Sequence, residues 1–272
     1  MRPLPTPLKS RLLNTADIEL WPATLLHARN NAHARLLARA RRVLRRKRDG
    51  AYLAAELPDG LHALVPNLHR EPGMAAARQA LSDAPPGHRR NGPEHVPVLP
   101  LHRLHERLDA LGLDADGYAA STGLALVPEP DWLAFAGFDR WRRPLWLHLD
   151  AARAWLRLRD AALADGIVLD AISGYRSHDY QLGIFERKRA RGLAVEEILA
   201  VNAAPGFSEH HSGLALDIGA PDEPPAEESF ERAPAFAWLG EHAGEHGFAM
   251  SYPRGNPHGI VYEPWHWRFS TT

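Results

Sequence analysis

Ser208-Glu209-His210-His211-Ser212-Gly213-Leu214-Ala215-Leu216-Asp217, near the C-terminal end, is the stretch around which the chain is organised, and Glu263-Pro264-Trp265-His266-Trp267-Arg268-Phe269 completes it. Together they supply two imidazoles and two carboxylates. That is the parts list of a catalytic zinc site with three protein ligands, one open position and a separate base. Leu214, Ala215, Leu216 and Ile218 form a short apolar run that predicts a buried strand entered through Gly213. A strand holds a carboxylate on a rigid element, and a loop before it lets His210 fold back toward the same ion. Glu263 and His266 are close enough in sequence for one to hold metal while the other serves as base.

At these residues the chain resembles the zinc D-Ala-D-Ala carboxypeptidases and their vancomycin-resistance relatives. The family pattern Ser-x-His-x-x-Gly-x-Ala-x-Asp is met by Ser208, His210, Gly213, Ala215 and Asp217, and Glu-x-x-His by Glu263 and His266, with Trp265 between them. A third block stands as Ser173, Gly174, Tyr175, Arg176 and Ser177, followed by Gln181. The three blocks occur in family order in the second half of the chain, and the first half carries no such likeness.

The resemblance implies one zinc held by His210, Asp217 and His266, with Glu263 as general base and acid. It implies that Arg176 binds a substrate's terminal carboxylate or supports the tetrahedral oxyanion, two roles the sequence does not separate. Ser208, Tyr175 and Gln181 become candidate substrate contacts. His210 is preferred over His211 because it keeps the family spacing, and in an extended segment His211 points the other way. The substrates implied are peptidoglycan stem peptides or muropeptides, with D,D-cleavage of a terminal D-Ala as the leading reading. An L,D-carboxypeptidase on tetrapeptide stems is the alternative, and a D,D-dipeptidase or a non-catalytic zinc-stabilised wall-binding module ranks lower.

Each residue also has a plain reading. Trp265-His266-Trp267 alone would be a strand with a half-buried histidine, and Arg176 alone a salt-bridged surface residue. Their joint presence favours the metal site. His88, His102 and His105 receive no metal role, since sixteen histidines make stray ones common.

The 272 residues suffice for one large or two modest domains. With 32 basic against 33 acidic residues, nothing global points to nucleic acid or membrane. Cysteine is absent, so a metal must be held by His, Asp and Glu. The start Met1-Arg2-Pro3-Leu4-Pro5-Thr6-Pro7 has no apolar core of a signal peptide, which gives the expectation of a cytoplasmic protein, with the periplasm or cell envelope as the alternative if the true start lies upstream.

Along the chain, residues 1–16 read as irregular. Trp21 to Arg48, rich in Ala, Leu and Arg, reads as helical, its basic cluster Arg41–Arg48 serving as a solvated helix end rather than a surface for nucleic acid or lipid. Tyr52–Leu57 and Leu61–Val65 predict a hairpin around Pro58-Asp59-Gly60, and residues 84–98 a loop. Leu101, Leu104, Leu108 and Leu111 predict an amphipathic helix. Strands are expected over 124–127, 132–135, 145–149, 167–172, 248–252 and 260–269, and helices with Asp150 and Ser177 as N-caps and one from Pro234. The expected architecture is α+β: a small antiparallel, hedgehog-like zinc-carrying sheet with packed helices over 121–272. It follows a mainly helical N-terminal region, 1–120, of unassigned role.

Overall fold

A computed structural model describes residues 6–28, 30–83, 96–101 and 103–270. Residues 84–95, which hold His88 and most of the expected loop, lie outside the described residues, as do His102 and the first five residues of the Pro-rich start.

The first strands are β1 (Arg11–Asn14) and β2 (Ile18–Pro22), followed by helix α1 (Asn31–Arg39), β3 (Arg42–Arg46), β4 (Tyr52–Leu57), β5 (Gly60–Ala63) and α2 (Met74–Asp83). Short helices α3 (Leu104–Asp109) and α4 (Ala115–Thr122) lead to β6 (Trp132–Phe138) and β7 (Pro144–Leu147). Then come α5 (Leu149–Ala164), β8 (Asp170–Ser173), α6 (His178–Arg189), α7 (Val195–Leu199), β9 (Ala215–Gly219), α8 (Pro234–His242), β10 (Phe248–Met250) and β11 (His266–Phe269). The strands form two antiparallel sheets: a seven-stranded one ordered β5-β4-β3-β2-β1-β6-β7, and a four-stranded one ordered β10-β11-β9-β8. The class is α+β.

Among the described residues the N-terminal half is not mainly helical; it contributes five strands. The Arg-rich run expected as a helix end is β3, near the middle of the larger sheet. Val43 and Leu44 alternate across the pleat. Val43 is buried with Leu37 and Ala40 at the end of α1, and Leu44 with Met74 and Ala77 of α2. Burial on both faces, with Leu20 and Ala54 paired on either side of Leu44, overrides the helix propensity of Leu and Arg. The cations are neutralised locally: Arg42 pairs with Glu56, Arg45 with Glu19, Arg46 with Asp49 and Glu71, and Lys47 with Glu129.

β1 pairs with β2 on one side and β6 on the other, so the larger sheet runs through the division expected at residue 120. Leu12 of β1 shares a buried cluster with Leu133, Phe135 and Trp146. Residues 124–127 are not a strand; Val127 N–H donates to Gly206 O at 2.7 Å, a loop-to-loop tie. The last strand begins only at His266, because Pro264 lacks the donor that a longer ladder would need. His148, rather than Asp150, caps α5, its Nδ1 accepting from Asp150 N–H at 3.3 Å.

The smaller sheet positions the site through strict alternation. Leu216 and Ile218 of β9 and Trp267 and Phe269 of β11 enter the main core, against Trp155 and Leu158 of α5 and Leu239 of α8. Asp217 and His266 therefore share the opposite face, and the register pairs them directly. Among the described residues no helix is long and apolar enough to cross a membrane.

Candidate metal centre and active site

Three turns and strand ends converge on that face. His210 lies in a 3-10 turn, Glu209–Ser212, which ends at Gly213 with φ of 69°. A Cβ at Gly213 would lie 2.5 Å from the Leu133 side chain and 2.7 Å from His148 N, so only glycine lets this turn press against β6 and the start of α5. The Ser173–Ser177 corner joins β8 to α6, and Ser177 caps α6 by accepting from Tyr180 N–H. Glu263 precedes β11, its N–H donating to Tyr252 O and its carbonyl accepting from His266 N–H.

The ring tautomers follow from their partners. Nδ1 of fully buried His210 faces Gly174 O at 2.7 Å, and a carbonyl can only accept, so Nδ1 carries the hydrogen. Its Nε2 is then a bare lone pair with no hydrogen-bond partner among the described residues, 3.3 Å from Asp217 Oδ1. Nε2 of His266 donates to Glu209 Oε2 at 2.9 Å, and its Nδ1 lies 3.2 Å from the same Asp217 oxygen. One carboxylate oxygen and two imidazole nitrogens thus face one another, all within 4.8 Å.

Acceptors converging in this way call for a cation. A tetrahedral zinc with ligands at about 2.0–2.1 Å sets its ligand atoms about 3.3 Å apart, which matches the two separations from Asp217. His210, Asp217 and His266 fit zinc in donor type, spacing and tautomer. Gly174 O and Glu209 fix the rings from behind, as outer partners of metal-bound histidines do.

The electrostatics agree. Burial, with Arg176 nearby, pushes His210 down to about 4 and keeps the ring neutral for ligation. Burial disfavours charge on Asp217 too, but the adjacent imidazoles outweigh it and hold the carboxylate well below its usual range. On His266 burial is likewise overcome: Asp217 and Glu209, one at each ring nitrogen, push it up to about 10, a demand for positive charge at that spot. Glu263 stands beside the triad, Oε2 3.7 Å from His266 Nδ1, and burial pushes its carboxyl up to about 7.

A cavity of about 300 Å3 opens onto these groups. Arg176, Ser208, Gln181, Asp217, Glu263 and His266 all line it, so the structure brings seven of the eight expected site residues together once His210, the third member of the triad, is counted. Arg176 Nε and Gln181 Oε1 are buried without a hydrogen-bond partner among the described residues, while Gln181 Nε2 donates to Ala203 O.

Tyr175 is the exception and corrects the expectation of a substrate contact. It does not line the cavity; its hydroxyl turns toward the larger sheet, donating to Glu129 Oε2 at 2.5 Å and accepting from Asn14 Nδ2. Successive residues of an extended corner point to opposite sides, so Arg176 and Tyr175 cannot both face the cavity. His211 is also turned away. Its Nδ1–H donates to Arg176 O at 2.7 Å and its Nε2 accepts from Gly206 N–H, leaving no lone pair for a metal.

Sequence reasoning missed Glu209, which holds His266, and Lys188, which lines the cavity from α6. An acid immediately before a ligand histidine was a usable signal for Glu209. Nothing local marks Lys188 among its basic neighbours.

The family model for D-alanyl-D-alanine carboxypeptidase (VanY) matches residues 144–272. A Bacillus subtilis (strain 168) protein, YodJ, is 36% identical over 136 residues, 46% of this chain and 46% of that protein, so the chain spans less than half the length of this relative. The bifunctional D-Ala-D-Ala dipeptidase and carboxypeptidase VanXYC of Enterococcus gallinarum is 32% identical over 148 residues, covering 52% of this chain and 75% of that protein. A solved structure of a variant of the vancomycin resistance D,D-pentapeptidase VanY in complex with Zn(II) is 30% identical, covers 46% of this chain and 73% of that one, and gives a TM-score of 0.39.

Proposed function

The chain belongs to the D-alanyl-D-alanine carboxypeptidase (VanY) family, and on that premise we propose that it is a zinc-dependent D,D-carboxypeptidase removing the terminal D-Ala from peptidoglycan stem peptides. The observation that carries the reading is the convergence of the His210 Nε2, Asp217 Oδ1 and His266 Nδ1 lone pairs beside a fourth group, Glu263, that is not a ligand. When bound, zinc acts as a Lewis acid on the scissile carbonyl and lowers the pKa of water at its open position to about 7.

The chain's own residues do the rest. The Glu263 carboxylate accepts the attacking water's proton and returns it to the leaving amine nitrogen, so one group serves as base and then as acid. Arg176 and Lys188 line the cavity and neither forms an ion pair with an acidic residue among the described residues, so both cations remain for an anionic substrate group. The fork of Arg176 suits the terminal carboxylate of a stem peptide. Gln181, its Nε2 committed to Ala203 O, offers Oε1 to a substrate amide N–H. Glu209 and Gly174 O keep the imidazoles oriented throughout.

The test is product analysis with synthetic pentapeptide and tetrapeptide stems. Release of D-Ala from the pentapeptide, abolished by Glu263→Gln, supports the reading. Cleavage of the tetrapeptide alone assigns L,D specificity instead. Zinc binding with no release from either refutes an enzymatic role.

A further inference from the structure

Behind the Ser173–Ser177 corner lies a buried polar cluster that neither belongs to the metal triad nor lines the cavity. Its centre is Glu129, whose side chain is 5% exposed. Glu129 Oε2 pairs with the Lys47 ammonium, which follows β3, and accepts the Tyr175 hydroxyl and Asn14 Nδ2–H at 2.5 and 3.2 Å. Glu129 Oε1 accepts His178 N–H, at the start of α6, at 2.8 Å. One carboxylate therefore grips the chain immediately before and two residues after Arg176.

Arg176 is held by its backbone from the other side. Its N–H donates to His210 O at 3.2 Å, and its carbonyl accepts from His211 Nδ1–H at 2.7 Å. His211 in turn lies edge-on to His178, ring centroids 4.3 Å apart. The guanidinium so presented has a buried Nε without a partner among the described residues, in the wall of the cavity. Burying a carboxylate and an ammonium is a poor source of stability compared with an apolar packing of the same volume, whereas a fully bonded pair fixes geometry. Three of its members, Asn14, Lys47 and Glu129 itself, lie outside the segment matched by the family model, and the first two belong to the N-terminal region, 1–120.

We propose that Glu129, tethered by Lys47 and Asn14, is a positioning residue that sets Arg176 to receive the carboxylate of a peptide substrate, so that the N-terminal sheet takes part in substrate recognition. This rests on the carboxypeptidase reading above. The first half of the chain then has a role beyond completing the core: it braces the anion-binding corner from behind.

Lys47 does not line the cavity and its ammonium pairs with Glu129, so a substitution there reaches the substrate through that carboxylate rather than by contact. The experiment compares wild type, Lys47→Met, Lys47→Arg, Glu129→Gln and Tyr175→Phe in the full chain. Steady-state kinetics are measured on a pentapeptide stem with a free and with an amidated C-terminus, alongside zinc content. Lys47→Met and Glu129→Gln are expected to raise KM for the free acid about tenfold with kcat within about threefold, the signature of lost uniform binding. Zinc is retained, the amide loses little further, and Lys47→Arg restores KM.

Tyr175→Phe keeps the ring and loses one donor, so it reports even where a charge variant fails to fold; its KM should rise about threefold. A role confined to stability would lower zinc content or melting temperature and leave the acid-to-amide preference unchanged, and that result overturns the proposal. Wild type that cleaves the pentapeptide, with free-acid KM unmoved in Lys47→Met and Tyr175→Phe, refutes the positioning role alone. Wild type that cleaves neither stem refutes the proposed function and this inference together.

Discussion

Glu209→Ala tests the reasoning about the metal centre most directly, because Glu209 is not a ligand. Its Oε2 accepts from His266 Nε2–H at 2.9 Å and from Ser251 Oγ at 2.6 Å, and Arg268 Nε lies 3.5 Å from Oε1. The carboxylate thereby fixes the tautomer that turns the Nδ1 lone pair of His266 toward Asp217. Without it, His266 is free to place its hydrogen on Nδ1, and the ring must be reoriented before it can ligate. Loss of such an outer partner typically weakens metal affinity about 10–100-fold, or about 1.4–2.7 kcal/mol. The partial exposure of Glu209, 18%, lets water replace part of the bond and argues for the lower end of that range.

Glu209→Gln should fall between wild type and Ala, since an amide oxygen still accepts but carries no charge. The assay is zinc competition against a chromophoric chelator, with Glu231→Gln as a control whose partly exposed carboxylate pairs with Arg254. Zinc affinity of Glu209→Ala within twofold of wild type would refute the tautomer argument.

Four further outcomes are expected. Glu263→Gln should retain zinc and lose about two to four decades of turnover on the pentapeptide stem, as measured by D-Ala release. His210→Ala should lose zinc by elemental analysis, whereas His211→Ala should keep it and lose substrate affinity, because Arg176 O and Gly206 N–H lose their partner. A fragment beginning at residue 121 should fail to unfold cooperatively in urea, since it strips β1 from β6 and exposes the cluster around Leu133 and Phe135. In Glu129 burial opposes the charge but Lys47 outweighs it, holding the carboxyl below its ordinary value of 4.5; its stabilisation is full above that value and lost as pH falls toward the folded value, so the urea-measured advantage of wild type over Glu129→Gln should shrink below about pH 4.5.

What the sequence determined by itself is the chemistry and the local geometry of the second half. The donor types are written in the residues, and with no cysteine the choice narrows to His, Asp and Glu. Alternation along Ala215–Gly219 and His266–Phe269 sends Leu216 and Trp267 inward and Asp217 and His266 to the other face, a consequence of the two-residue period that needs no knowledge of partners. Ser177 as a cap and Gly213 as a turn are local rules of the same kind.

The tertiary structure decided whatever depended on distant partners. Arg41–Arg48 carries helix-forming residues, yet β2 and β4 claim it as a strand because Val43 and Leu44 can then be buried on both faces. Tyr175 sits within a motif beside Arg176, and its hydroxyl is taken by Glu129 and Asn14, 46 and 161 residues away in sequence. The joining of the two halves through β1 and β6 is a pairing across more than a hundred residues. Strand pairing and buried ion pairs are non-local interactions: their energies come from groups that meet only after the chain has folded, so no window of sequence contains both partners.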